Sequence, residues 1–340
     1  MKKVVIFSVI LVVFSSLLVA SATSAAVTLP VINPTLFEAT PLNFTPTAIN
    51  NQGVVIGWRY LNPDNYDDRR FETVRWEKGQ LSSLGTFGYN NARPLDINDQ
   101  GSLLLEVESV NPVVLNYLLV QPNGNKNEIA GTVDGGHVFL YRLNNLNQVV
   151  GYTSSQHGPS TALIWHPSYK VAIEHELNSW LVANNNLGQA VGYAPDPNNP
   201  THLNPILWDN GVWPLESTDL VCDINDQSQV VGSYNTDATA RTPNAARPGL
   251  WRNGQLHKLI SLGLWGFATN INNRGTVLGF LDSKPVFWNS PGAKPIFISN
   301  LVKNLKVTNV TGLNDQNQIL AEAERPDGTH GYFLIQPRRK

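Results

Sequence analysis

The chain lacks most features that announce an enzyme or a membrane protein. It has one cysteine, Cys222, so no internal disulfide can form and no leader cysteine is available for lipidation. Charged residues are sparse at 15%, with 24 basic against 26 acidic. That balance offers no basic surplus to displace phosphate counterions, and it excludes a general nucleic-acid binder. There is no Gly-x-Ser-x-Gly elbow, no Gly-x-x-x-x-Gly-Lys phosphate loop and no Gly-x-Gly-x-x-Gly dinucleotide turn. There is also no His-x-x-x-His or Cys-x-x-Cys pair, and the seven histidines are scattered. Beyond the first 25 residues no apolar run is long enough to cross a bilayer, so no membrane insertion is expected.

The first 25 residues read as an export signal. Lys2 and Lys3 precede an apolar run from Val4, and the small residues Ala20-Ser21-Ala22 or Thr23-Ser24-Ala25 suit a signal peptidase. The expected product, residues 26–340, is a secreted or periplasmic protein forming one domain. Losing both lysines leaves it with a formal charge of −4. Arg338-Arg339-Lys340 reads as a solvated tail.

What the chain has in abundance is a repeated hairpin. "AINNQGVVIG", "DINDQGSLLL", "RLNNLNQVVG", "ANNNLGQAVG", "DINDQSQVVG", "NINNRGTVLG" and "GLNDQNQILA" align on Asn50, Asn98, Asn144, Asn185, Asn225, Asn272 and Asn314, spaced by 48, 46, 41, 40, 47 and 42 residues. The fourth turn position must take positive φ to rejoin a twisted ladder, which suits its Gly and Asn residues. Ser228 departs from that pattern, so strain is expected there. The anchoring asparagine is expected to cap its own turn by accepting backbone N–H bonds.

Each hairpin is followed by a second strand pair carrying Trp76, Trp165, Trp208, Trp251 or Trp288, with Leu119 and Leu334 in the other two units. This stripe reads as core between repeats. Pro205, Pro248 and Pro285, three residues before their tryptophans, are expected at the first position of a strand. Four strands per unit of about 45 residues is the arithmetic of an all-β, seven-bladed β-propeller. The last unit stops at its third strand, "HGYFLIQP", and a spare strand, "PTLFEATPL", precedes the first. The N-terminal strand is therefore expected to complete the last blade and close the ring.

"LSSLGTFGYNNARPLDINDQGSLLLEV" and "LISLGLWGFATNINNRGTVLGF" resemble the HAF-type repeat of bacterial extracellular proteins, a Leu-Gly step leading through a loop to Ile-Asn-x-x-Gly and an apolar strand ending in Gly. The resemblance covers essentially the whole exported chain. It implies a bacterial repeat protein and says little about activity. Leu105 and Ala321 depart from it where a strand-ending Gly is due, and several units lack the Leu-Gly step.

Candidate site residues fall in two places. The short "INNQG" turns make their face uniform, whereas the loops after the second strands vary, and variation on a regular scaffold marks binding. Those loops begin at Trp58, Tyr152, Tyr193 and Tyr234 and bring Arg59, Tyr60, Tyr66 and His157. The aromatics could stack on sugar rings or anchor a peptide, or they could simply cover the blade tops. Near the axis, Asp96, Arg142 and Asp223 could form a polar cluster around the central channel, holding a ligand or only water. Cys222 reads as a small buried hydrophobe. No cofactor is implied; Asp64, Asp67 and Asp68 could offer oxygen ligands to calcium, though not at EF-hand spacing.

The leading functional reading is an exported, non-catalytic propeller whose loop face binds a glycan or protein partner. The alternatives are a glycan-active lyase or hydrolase with carboxylates in the central funnel, and a structural envelope or matrix component. Catalysis by paired carboxyls would need them about 5 to 9.5 Å apart, and Asp96 and Asp223 come from units nearly across the ring.

Overall fold

The computed structural model describes residues 37–65, 68–109, 114–133, 136–154, 158–236 and 245–338, with backbone alone at 133 and 169–177. The chain is an all-β, seven-bladed propeller of antiparallel blades. Blades 1 to 6 occupy residues 45–85, 91–129, 132–177, 180–214, 220–258 and 266–297. Blade 7 joins strands Lys306–Leu313, Ile319–Glu324 and His330–Pro337 to Phe37–Leu42, which runs antiparallel to His330–Pro337 with Phe37 opposite Pro337 and Leu42 opposite Tyr332. The ring is thus sealed by the N-terminal strand, as the missing fourth strand of the last unit requires. Blade 3 carries an additional two-residue strand, Thr132–Val133, inside its first full strand.

The repeated asparagine does more than cap its turn. In all seven blades its Oδ1 accepts the N–H four residues on, and in most blades the N–H two residues on as well. Its Nδ2 donates to the backbone carbonyl of the same asparagine in the next blade, at 2.8–3.1 Å, from Asn50 round to Asn314 and back to Asn50. A second circle lies beside the first. The backbone N–H of each following residue donates to the side-chain Oδ1 of its counterpart one blade on, at 2.7–2.8 Å. Those counterparts are Asn51, Asp99, Asn145, Asn186, Asp226, Asn273 and Asp315. No two aspartates are neighbours in that order, so like charges never meet across a blade boundary.

The turns carry the expected strain and its remedy. Ser228 takes φ +55°, beside Asn147 at +59° and Asn317 at +58°. The Ser228 hydroxyl donates to Gln189 Oε1 of the preceding blade at 2.7 Å, which offsets the cost of a left-handed serine.

Each inner strand is bulged just before its asparagine, between Pro46 and Ala48 in blade 1 and between Leu181 and Ala183 in blade 4. The bulge presses a backbone carbonyl against the facing strand. A Cβ at Gly57 would collide with the Thr45 carbonyl, and one at Gly192 with that of Trp180. Leu105 and Ala321 occupy this place in blades 2 and 7 and are buried; nothing in the structure explains why these two blades tolerate a side chain.

Core clusters straddle neighbouring blades. Leu104, Tyr117 and Leu119 of blade 2 pack on Val138, Leu140, Val149 and Trp165 of blade 3. Full burial of such side chains stabilises by about 1.5–3 kcal/mol each. Trp165, Trp251 and Trp288 are buried, Trp76 and Trp208 half-buried, and Leu119 and Leu334 are wholly inside. The indole N–H groups of Trp251 and Trp288 also donate to the carbonyls of Glu216 and Ile260, fastening the crossings that lead to and from blade 5.

The prolines need a correction. Pro205, Pro248 and Pro285 lie inside strands Asn199–Trp208, Ala246–Arg252 and Lys284–Trp288 rather than at their first positions. Each is one residue beyond the stretch paired to the outer strand, whose contacts begin at Ile206, Gly249 and Val286. At Pro205 and Pro248 the N–H of Leu215 and of Leu259 still donates to the proline carbonyl, so the missing donor removes no more than a return bond at the very end of the outer pairing.

Asn225→Ala removes the acceptor of Gln227 and Gln229 N–H and the donor to Asn272, leaving buried backbone groups unpaired. Urea denaturation is expected to show a loss of about 2–4 kcal/mol, against less than about 0.5 kcal/mol for Gln227→Ala at the exposed turn tip.

Candidate functional site

The inner strands converge on a central channel, and its turn-side mouth is a cavity of about 180 Å³ lined by residues from all seven blades. The lining is the asparagine circle and its neighbours, including Asp99, Asp226 and Asp315. This face is less uniform than its short turns suggest. It carries three carboxylates at the mouth, and the exposed tips Leu146 and Leu187 lie on blades 3 and 4, where the outer circle places asparagine beside asparagine. The mouth carboxylates are committed: Asp99 Oδ2 accepts from Asn51 and Asn145, and Asp226 Oδ2 from Asn186 and Asn273.

Deeper in the channel stand Asp96, Arg142 and Asp223, from blades 2, 3 and 5. Asp96 accepts the Ile97 N–H at 2.9 Å and, across the blade boundary, the Leu143 N–H at 2.9 Å. Asp223 repeats this with Ile224 and Ile271, both at 3.0 Å. Each carboxylate therefore ties its blade to the next. Burial pushes both carboxyls up, Asp223 to about 6, while the Arg142 charge and the two N–H donors pull the other way. Asp223 also responds to the charge of Asp96, and Arg142 acts on both. The cluster is thus electrostatically coupled although its members come from separate blades.

Cys222, expected as a small buried hydrophobe, keeps part of its surface open while burial still governs its thiol. It is the bulged residue of blade 5, half-buried, and its thiol is pushed up to about 12 by burial and by the Asp223 charge, with Arg142 opposing. It stays protonated at neutral pH, which does not suit a nucleophile. Among the described residues, three buried polar atoms on inner strands have no protein partner: Arg93 Nε, Asn184 Oδ1 and Thr269 Oγ1. Atoms of this kind bond water or a polar ligand.

At the opposite, loop-side end the inner and second strands pair aromatics across the ladder. Tyr152 stacks on Phe139 at 4.8 Å between ring centres, Phe280 on Phe267 at 5.4 Å, and Tyr193 meets Trp180 at 5.1 Å. Trp58 sits between Tyr60 and Phe71, at 5.4 and 5.3 Å. Trp58, Tyr152, Tyr193 and Phe280 are half-buried, and Tyr60 is 40% exposed. Their role is divided, because the Tyr193 hydroxyl also accepts the Val221 N–H of blade 5 at 3.0 Å. Arg59 is exposed and paired with Glu72 at 2.9 Å.

Tyr234 does not join this set. It is 8% exposed and packs in the core between blades 4 and 5, with Lys258 Nζ 5.3 Å from its ring centre. Ser233, not Tyr234, aligns with Tyr152 and Tyr193, and a shift of one residue in a strand turns the side chain to the other face. Tyr66 and His157 lie outside the described residues, as does Asp67. Asp68 is engaged by Arg70 at 2.8 Å and by Asn62. Among the described residues no three His, Cys, Asp or Glu side chains gather to hold a metal.

Several residues of the loop-side end escape the motif search. Glu106 occupies the place of Trp58 and Tyr152, opposite Arg93, and burial raises its carboxyl against the pull of Arg93. Phe139, Tyr141, Trp180 and Phe267 also belong here. Their signal lies in alignment columns that a reading centred on loop starts passes over.

No protein-family model matches the chain, and no curated protein matches it in sequence. Solved structures do match in fold. The β-propeller domain of the Trilobed protease from Pyrococcus furiosus superposes with a TM-score of 0.61 at 10% identity, over 88% of this chain and 96% of that one. That domain has an open velcro topology, whereas here Phe37–Leu42 completes the last blade. A catalytically inactive virginiamycin B lyase from Staphylococcus aureus, with quinupristin, gives 0.51 at 8% identity over 89% and 100%. YCF48 bound to D1 peptide gives 0.53 at 11% over 92% and 100%. At such identities the likeness is one of fold.

The raised Asp223 carboxyl has a signed consequence. The folded state holds its proton more tightly than the unfolded chain, whose aspartates titrate near about 4. Its stabilising contribution is therefore present at low pH and lost as pH rises through about 6. Relative to Asp223→Asn, the native chain is expected to gain stability in urea as pH falls from 7 toward 4.5. A pH-independent difference would show that the carboxyl titrates normally.

Proposed function

We propose that the chain is an exported, non-catalytic binding propeller whose loop-side funnel receives a glycan or an extended peptide. The observation that carries this reading is the half-buried aromatic pairing at one level of blades 1, 3, 4 and 6, around a channel whose polar wall holds unpaired buried atoms. Flat aromatic faces beside hydrogen-bonding groups match a sugar ring or a peptide plane, apolar on one side and polar at its edge. The leader and the HAF-type resemblance support export. The state of the channel carboxylates favours binding over glycan cleavage, since both oxygens of Asp96 and of Asp223 already accept backbone N–H bonds.

One observation favours the enzymatic alternative. Glu106 is a half-buried carboxyl with a raised proton affinity, facing Arg93 at the loop-side end, which is the environment a general acid needs.

A thermal-unfolding screen of residues 26–340 against soluble glycans and short peptides separates the two. A ligand of the folded state stabilises by about 2.7 kcal/mol at a hundredfold excess over its Kd. Trp180→Ala and Tyr152→Ala are each expected to abolish that shift, with the ligand recovered intact. Conversion of the ligand, lost in Glu106→Gln, would instead establish the enzyme. A shift untouched by either aromatic substitution would move binding off the loop-side funnel.

A further inference from the structure

The seam where the ring closes forms a groove of about 400 Å³, separate from the channel. Its wall comes from the closing strand Phe37–Leu42, from blade 7, and from the crossing that follows Ile298–Asn300. The apolar part is Phe37, Ala39, Val302, Leu305, Pro326 and Phe333. The charged part is unbalanced: Lys303, Arg325 and Arg338 face a single acid, Glu38, which accepts from Gln336 Nε2 at 2.8 Å. Among the described residues none of the three cations makes an ion pair with a carboxylate. In a chain with so few charges, three such cations around one groove of ligand-site size need an explanation.

Arg325 is held in place. Its Nη1 donates to Thr329 Oγ1 at 3.2 Å and to the His330 carbonyl at 3.1 Å, and its guanidinium lies 5.1 Å from the Phe333 ring centre. It rests against Gly331, where a Cβ would come within 2.5 Å of Nη2. Asp327, whose carboxyl the Arg325 charge helps hold down, makes no ion pair with it and is committed to its own turn through the Thr329 N–H and hydroxyl. A fixed, half-buried guanidinium that no carboxylate ion-pairs is preorganised for an anion.

The cations stand at opposite ends of the groove. Arg325 follows the last residue of Ile319–Glu324, and Lys303 precedes Lys306–Leu313; Glu324, Lys306 and His330 are in register. Arg338 follows Pro337, at the far end of His330–Pro337. Between them lie the apolar residues. We infer that this seam is a binding site for an elongated anion with charge at both ends and an apolar middle, the chemistry of an α,ω-dicarboxylate. Arg338 therefore does not act only as part of a solvated tail, because it belongs to the site.

Decanedioate is the probe, titrated calorimetrically into residues 26–340, with decanediol as the uncharged analogue of equal length. The native chain is expected to bind decanedioate and not decanediol. Lys303→Glu and Arg338→Glu, which alter exposed side chains, are each expected to weaken binding at least tenfold. Gly331→Ala, which displaces the Arg325 guanidinium while leaving the residue in place, is expected to do the same. Native binding no tighter than about 1 mM, equal binding of decanediol, or undiminished affinity in both charge-reversal variants would each overturn the assignment.

Discussion

Everything in this propeller hangs on one side chain repeated seven times, the buried asparagine that ends each inner strand. The position asks a single group to accept backbone N–H bonds within its own turn and to donate to a carbonyl in the next blade. Asparagine has both an acceptor and a donor at the right reach; aspartate cannot donate, serine cannot span the gap, and glutamine must find room for another methylene. Because each amide reaches the next blade and the seventh returns to the first, the circle has no open end. A chain with no disulfide needs such a closure, and the strand pairing of Phe37–Leu42 supplies it a second time at the periphery.

The circle also governs where charge can sit. Its second ring keeps Asp99, Asp226 and Asp315 apart with amides between them, so that each carboxylate collects donors from its neighbours. Inside the channel the same logic applies to Asp96 and Asp223, whose oxygens bridge blades 2 to 3 and 5 to 6. Acidic residues that look available for chemistry are thereby occupied by architecture. Blades 1, 3, 4 and 6 are left to differ from the scaffold chiefly through aromatics, and blade 2 through Arg93 and Glu106.

A regular scaffold makes its exceptions informative. Ser228 keeps a left-handed turn by bonding to Gln189, a local repair. Glu106 replaces an aromatic and Ser233 replaces another, and these breaks fall at the loop-side funnel. The third break is the seam itself, the one blade built from both ends of the chain, where Lys303, Arg325 and Arg338 gather with no ion pair to a carboxylate among the described residues. Binding on the loop face and at the seam would draw on different breaks in the same repeat.

The sequence by itself determined the seven units, the four-stranded blade and the completion of the last blade by the N-terminal strand. These follow from local periodicity and turn chemistry: Asn50 through Asn314 at near-constant spacing, with Gly or Asn where φ turns positive in every turn but that of Ser228. Tertiary structure decided the rest. That the asparagines bond to one another, that Tyr234 turns inward while Tyr193 does not, that Cys222 lies on a bulge, and that Pro205 stands inside a strand at the end of its outer pairing all depend on register. So does the meeting of Phe37 with Arg338 and Arg325. Residues hundreds of positions apart become neighbours only when the ring closes, and no local pattern records which face or which partner closure will give them.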